Sequence, residues 1–401
     1  MISLRPFRAW RPVPDKAHLV GSRSYVSYTP EQLSEKLAGN PWTFLHVIHP
    51  PAISEHHTRA ERFEAVRNAF HAFVEEGVLV QDEVPTIHLY EQHARGNVSR
   101  GLIAGVSLKD YAEGRIKVHE QTLTARENLF AEYLEATAIN AEPVLLCTPE
   151  GSAWEALLDP MLNTRPAYDF STTDRVRHRM WSITDGQLQE ALQKAFASIP
   201  ALYIADGHHR MASSARLAQA RGATDEDPAA WCLAFIVPRN HLFIFNFDRA
   251  VRSLNGMDEG AFLEALGRIG PLVPQPSPWS APGVVAVRTA SGWHGLHLPP
   301  AAPGARPDEA LDAARLSELV LAPLLGITDL RTDPGIRFVP GTHGTGELDR
   351  LVEDGSVAAA FHLHPVGFAD LKAVADTGGT MPPKSTYIEP KLRSGLVVHP
   401  L

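Results

Sequence analysis

The spacing of apolar and polar positions predicts a chain of short strands and amphipathic helices. Thr29-Pro30-Glu31-Gln32 reads as a helix start, with Thr29 as N-cap, Pro30 at the first helical position and Gln32 reaching back. Phe63, Val66, Phe70 and Phe73 share one face of a longer helix over 54–76, which Gly77 stops. Apolar or alternating runs predict strands near 86–91, 101–108, 143–147 and 178–183, with a turn over 108–114. Leu188, Leu192, Ala195 and Ile199 define a helix over 186–199, and Pro200 ends it. A short buried strand over 201–205 then runs into Asp206-Gly207-His208-His209-Arg210 and a helical pattern to about residue 220. Strands near 229–237 and 241–247 complete this central part.

A Pro/Gly-rich stretch over 271–307 interrupts the pattern and disfavours helix and interior strand. The strand-like pieces 283–288 and 292–298 inside it read as an edge hairpin with mobile connections. A helix over 308–322 and strands near 335–339 and 357–363 follow, and residues 381–401 read as extended chain. The expected organisation is a segment 1–90 packed on a central domain 91–250, an α/β domain 251–375, and a tail 376–401 folding back on the core. The fold class is α/β, or α+β with a mixed sheet, of a strand order that the pattern does not yield.

Composition narrows the class. With 44% apolar and 21% charged residues in 401, the chain is not globally disordered. The 37 Lys+Arg against 46 Asp+Glu give a net charge of −9, which argues against a nucleic-acid partner. No run of eighteen apolar residues occurs and the start lacks the apolar core of a signal peptide, so no membrane and a cytoplasmic location are expected. Cys147 and Cys232 lie in apolar runs, read as buried small hydrophobes, and are too few for a four-thiolate zinc site.

Among 19 histidines, the pair His208-His209 stands where a buried strand meets a helix. Backbone N–H groups at such a helix start bind phosphate or carboxylate, and Arg210 adds a forked donor. Asp206 can hold a divalent cation or orient a histidine. The plainer alternative makes Asp206 an N-cap and the histidines a polar helix face. His119-Glu120-Gln121-Thr122 places a carboxylate beside a histidine and a hydroxyl, a set suited to general-base work if the carboxylate is buried, or else a capping segment. Met381-Pro382-Pro383-Lys384-Ser385-Thr386 offers a cation and two hydroxyls on a stiff backbone, suited to an anion or to a solvated tail. In Arg175-Val176-Arg177-His178-Arg179, alternation puts the arginines on one face and His178 on the other. The arginines either frame an anionic ligand or pair with surface carboxylates.

Together these motifs, with Arg5-Pro6-Phe7-Arg8-Ala9 and Arg100-Gly101, resemble the bacterial and archaeal domain-of-unknown-function family 1015. Its Asp-Gly-His-His-Arg element is similar to one in ParB/sulfiredoxin-fold proteins, including free-serine kinases. The resemblance implies a ParB/sulfiredoxin-like core with N- and C-terminal elaborations. It implies phosphoryl transfer from ATP, ADP or pyrophosphate, with Mg²⁺, to the hydroxyl of free serine or a similar metabolite. On matching positions Glu120 is the base, His208 and His209 join it in catalysis, and Asp206 also holds the metal. Asp206, Gly207, Arg210, Lys384, Ser385 and Thr386 bind phosphate, and His119, Thr122, Arg177 and His178 contact substrate.

The chain departs from the family at Ser22-Arg23-Ser24-Tyr25, at Glu127-Asn128-Leu129-Phe130 and at Phe247-Asp248-Arg249. Those departures favour an alternative, a non-catalytic nucleotide- or anion-binding sensor or assembly protein.

Overall fold

One helix opens at its expected cap, Thr29, and a second opens at Thr58, a cap that the expected helix over 54–76 did not include. In a computed structural model, which describes residues 1–50, 57–149, 153–275 and 277–401, Thr29 and Thr58 each build a reciprocal capping box, with Gln32 and Glu61. The second box opens the helix Arg59–Glu75, whose Val66, Phe70 and Phe73 are buried. Residues 54–56 of the expected helix, and His56, lie outside the described residues.

The described chain divides into two compact units. The first comprises Met1–Lys117, Gln121–Phe243 and Pro390–Leu401; the second comprises Val118–Glu120 and Ile244–Glu389. The first is built on a mixed sheet. Its strands are β1 (Leu4–Arg5), β2 (Ile87–Ala94), β3 (Asn97–Ser107), β4 (Ile116–Lys117), β5 (Val144–Thr148), β6 (Tyr168–Ser171), β7 (Arg177–Ile183), β8 (Leu202–Asp206) and β9 (Trp231–Pro238). Their order is β4-β8-β5-β9-β3-β2-β7-β6, with β1 added to β3. Most neighbours are antiparallel, but β5 and β9 run parallel, as do β8 and β4. Strands β3, β5 and β9 are buried along most of their length, which is why they read as apolar runs. Both cysteines lie inside this sheet and are buried. Burial pushes the Cys232 thiol up to about 11, so it stays protonated.

Residues 390–401 are no loose tail: they turn at Gly395 and end in the short strand His399–Pro400. Val398 exchanges backbone hydrogen bonds with Trp10, Ser394 does so with Ser22, and His399 pairs with Asn140. Leu396, Val397 and Val398 are at most 5% exposed.

The second unit carries a six-stranded sheet among the described residues, with β10 (Phe247–Val251), β11 (Leu272–Gln275), β12 (Val284–Thr289), β13 (Gly292–His297), β14 (Ile336–Pro340) and β15 (Ala359–His362) in the order β11-β13-β12-β15-β10-β14. The 283–298 hairpin is therefore interior, where the sequence suggested an edge. Every residue of β12 is buried, and Pro274, one of the prolines that argued for an edge, sits in β11, the edge strand that pairs with β13. Segment 108–114 also differs from expectation, since Leu108–Ala112 is a helical turn capped by the Ser107 hydroxyl. The helix expected over 308–322 is shorter, Asp312–Leu316 running into a π-helical turn over Ser317–Leu321.

Candidate functional site

In β8 the register slips against β5. Ile204 faces Leu146 and Asp206 faces Leu145, so Ala205 is an extra residue. Such a bulge bends the strand and re-aims the residues after it. Gly207 comes next at φ +98°, and a Cβ there would lie 2.8 Å from Nε and Nη2 of Arg210. Glycine meets both demands, a left-handed backbone and the close approach of a guanidinium. The helix His208–Arg221 starts at once. Its N-cap position is Gly207 with no side-chain cap, so Asp206 is not the cap that the plainer sequence reading made it. The N-terminal end of the helix dipole meets the bulged strand end.

Arg210 folds back over this turn. Its Nη2 donates to Asp206 Oδ2 at 2.8 Å, and Nη1 pairs with Glu142. Burial opposes the charge on Arg210, but Glu142 and Asp206 outweigh it and raise the pKa. Lys391 Nζ lies 3.8 Å from the other Asp206 oxygen. Two cations and two carboxylates thus hold one another at the junction. A phosphate arriving there meets a guanidinium and an ammonium already in place, and it competes with carboxylates for them. His208 is buried and His209 half-buried. Sequence reasoning missed Glu142 as a partner, because no spacing links it to Arg210.

Thr122 hydrogen-bonds Glu127, which also accepts from Arg216 Nη2 at 2.7 Å. Thr122 and Arg216 hold the Glu127 carboxyl below its usual range. Glu127, one of the departures from the family, ties the helix Thr124–Thr137 to the helix that begins at His208.

The structure does not bring Arg177 and His178 to this junction. They stand on β7, five strand positions from β8, which is about 24 Å at the usual spacing. Arg177 makes a two-pronged bond to Asp169, at 2.8 and 2.7 Å. His178 turns inward, with Nδ1 2.6 Å from the Tyr90 hydroxyl and Nε2 3.2 Å from Thr172 Oγ1. Burial drives its pKa down to about 3, with Arg393 adding to the effect. Arg175, expected on the same strand face, lies in the preceding turn at φ +62°.

In the second unit, Met381 N donates to the His119 carbonyl at 2.9 Å, joining two motifs that are far apart in sequence. His119 is buried and Glu120 exposed, so the burial that would raise a catalytic carboxyl is missing at Glu120. Pro383 and Lys384 form a turn in which Ser385 Oγ donates to the Pro382 carbonyl at 2.8 Å, and Thr386 is half-buried just beyond. Lys384 is exposed at φ +56°, a conformation costly for a side chain with a Cβ, and its Nζ lies 5.2 Å from the Phe247 ring centroid. The buried Arg249 donates to the Lys384 carbonyl at 3.4 Å, and burial lowers the pKa of this guanidinium to about 10.

Another of the departures, Asp248, is fully buried and accepts from His362 Nδ1 at 3.0 Å and from the Leu363 N–H at 3.2 Å. The clustering of His362 with His364 was the only signal in the sequence.

The fold and the Asp206–Arg210 junction describe a mixed α/β protein with a bulged strand-to-helix turn. The chain belongs to the family described as "Protein of unknown function (DUF1015)", whose model matches residues 4–314. The match ends before residues 381–386. No curated protein matches the sequence. Similar solved structures include a free serine kinase in complex with AMP, at TM-score 0.38 and 13% identity over 74% of this chain and 91% of that chain. A C-terminally truncated SbnI from Staphylococcus aureus has TM-score 0.39 and 13% identity over 73% and 85%. A conserved hypothetical protein from Pyrococcus furiosus has TM-score 0.34 and 15% identity over 74% and 94%. Among the described residues, no helix is long and apolar enough to cross a membrane.

Proposed function

We propose that the protein transfers a phosphoryl group from ATP, ADP or pyrophosphate to the hydroxyl of a small metabolite, with free serine or a serine-like compound the first candidate. The observation that carries this reading is the junction itself: a bulged strand end, a left-handed glycine and a helix start that hold Asp206, Arg210 and Lys391 together. Phosphoryl transfer is mostly positioning and charge neutralisation, which such a junction is suited to supply. Arg210 and Lys391 would exchange their carboxylates for phosphate oxygens, and the helix N-terminus would add its dipole. Asp206 offers a partly exposed oxygen donor, its side chain 43% accessible, of the kind Mg²⁺ takes together with substrate phosphates. Asp206 would hold that ion, which supplies charge neutralisation on the transferring group.

The assignment of Glu120 as base rests on the resemblance of its motif. In that role it takes the hydroxyl proton while the oxygen attacks phosphorus, and the bond to the remaining phosphate breaks. The roles of His208 and His209 in catalysis, of Lys384, Ser385 and Thr386 as phosphate ligands, and of His119 and Thr122 as substrate contacts have the same basis. The test is a matrix of the three donors, with Mg²⁺, against free serine, homoserine and threonine. A phosphorylated product that Glu120→Gln removes while donor binding persists is the expected result. No product from any pairing sinks the proposal.

A non-catalytic nucleotide- or anion-binding sensor is the second reading, favoured by the solvent exposure of Glu120. Calorimetry with the same donors separates the two: tight binding without turnover selects the sensor.

A further inference from the structure

At the other end of the large sheet, the parallel strands β5 and β9 finish side by side, with Thr148 opposite Pro238. Asp206 is level with Leu145, so the two ends are three residues of strand apart, about 10 Å. A cavity of about 210 Å³ lies at this far end, and Arg100, Trp154, Glu155, Leu158, Asp159 and His241 are among the residues that line it. All of these residues belong to the first unit.

Two of these polar groups, Arg100 and His241, are fixed by hydrogen bonds. Arg100 Nε donates to Glu91 at 2.7 Å, and Glu91, 1% exposed, also receives Arg179 and His93 at 3.1 and 3.0 Å. With two arginines on one carboxylate, this cluster keeps a net positive charge, and the bond through Nε fixes the plane of the Arg100 fork. His241 Nδ1 is 2.7 Å from the Val98 carbonyl, so the hydrogen sits on Nδ1 and Nε2 presents a lone pair. Trp154 is 1% exposed, and its indole N–H has no acceptor among the described residues. The hydroxyl of Thr148, beside Pro238, is fully buried and likewise has no partner among them. Buried donors without partners are rare in folded proteins and ask for a reason. The same lining includes the carboxylates of Glu155 and Asp159.

We propose that this cavity binds a free α-amino acid. The carboxylate would take the Arg100 fork and the Trp154 N–H, and the ammonium would face Glu155, Asp159 and the His241 lone pair. A small side chain would lie against Leu158 and Pro238. The volume is below the roughly 300–1,000 Å³ of pockets for larger ligands, so a nucleotide is too big. The site shares no residue with the Asp206 junction and does not depend on phosphoryl transfer there.

Calorimetry on the full chain tests it, with L-alanine and L-leucine as probes because neither has a hydroxyl to be mistaken for a phosphate acceptor. One site per chain is expected, with acetate and ethylamine each weaker by at least about tenfold for want of one charge partner. Trp154→Phe, still folded though lower-melting for the buried volume it loses, should weaken L-alanine by about tenfold, and Arg100→Gln should abolish binding. Asp206→Asn should leave the affinity unchanged. No binding of either amino acid up to about 10 mM by folded protein overturns the proposal. So does acetate matching L-alanine, or binding that Asp206→Asn abolishes and Trp154→Phe leaves intact.

Discussion

Arg177-His178-Arg179 and His208-His209-Arg210 are built from the same residue types and lie in the same unit, yet they do opposite things. On β7 the period of two sends the arginines outward to Asp169 and Glu91 and presses the histidine between Tyr90 and Phe170. Each of those side chains is committed to a neighbour. At the start of the helix the geometry is a bulge, a left-handed glycine and a turn of helix, and the guanidinium curls back to a strand-end carboxylate that stays partly exposed. A basic motif is gathered into a compact turn when the backbone interrupts its own periodicity. Where the periodicity holds, the same residues become structure.

The largest break in this comparison comes from removing residues 390–401. Arg393 holds Asp174 at 2.7 Å beside His178, and the segment buries Leu396, Val397 and Val398. At roughly 1.5–3 kcal/mol for each side chain, about 5–9 kcal/mol is lost, comparable to the 5–15 kcal/mol stability of a whole domain. Circular dichroism of the truncated chain should show an unfolded first unit; a cooperative melt near that of the full chain contradicts this.

Gly207→Ala strikes only the helix junction. The left-handed φ and the 2.8 Å approach of Arg210 together should cost about 1–3 kcal/mol and abolish donor binding. Urea titration and calorimetry read the two effects, and a variant that binds donors normally would remove the junction from consideration.

Acid probes the strand side. Burial lowers the pKa of His178 to about 3, and of His399 likewise. The folded state takes these protons less readily than the unfolded chain, in which the value is near 6.5. Their contribution is therefore complete above about pH 6.5 and drains away as the pH falls toward 3, at about 2 kcal/mol each by about pH 5. Urea midpoints across that range should fall with acid, and His399→Leu should flatten the slope; an unchanged slope counts against it. The smallest effect is expected at Arg177→Ala, which removes an exposed pair and should leave both melting temperature and donor binding where they were.

Much of the local structure was legible. Thr29 announces its helix because a capping box is a contact between residues three apart. The apolar runs of β5 and β9 name themselves as buried strands, and the alternation from Arg177 to Met180 separates inward from outward side chains. The 283–298 hairpin was recognisable as strands but misplaced, because proline reports on its own strand and not on which neighbours cover the next one. At the candidate site, the strand, the turn glycine and the helix start were all visible. The Ala205 bulge, the pairing of Arg210 with Glu142, and Lys391 opposite Asp206 were not.

Helix starts, buried strands and the glycine turn after β8 were set by the order of residues alone, since each depends on groups a few positions apart. Long-range packing settled that His178 is core and not ligand, that Glu127 is a tie between helices, and that a cavity opens behind Arg100. Those outcomes depend on contacts between residues up to a hundred or more positions apart, and on a strand register that no local pattern encodes.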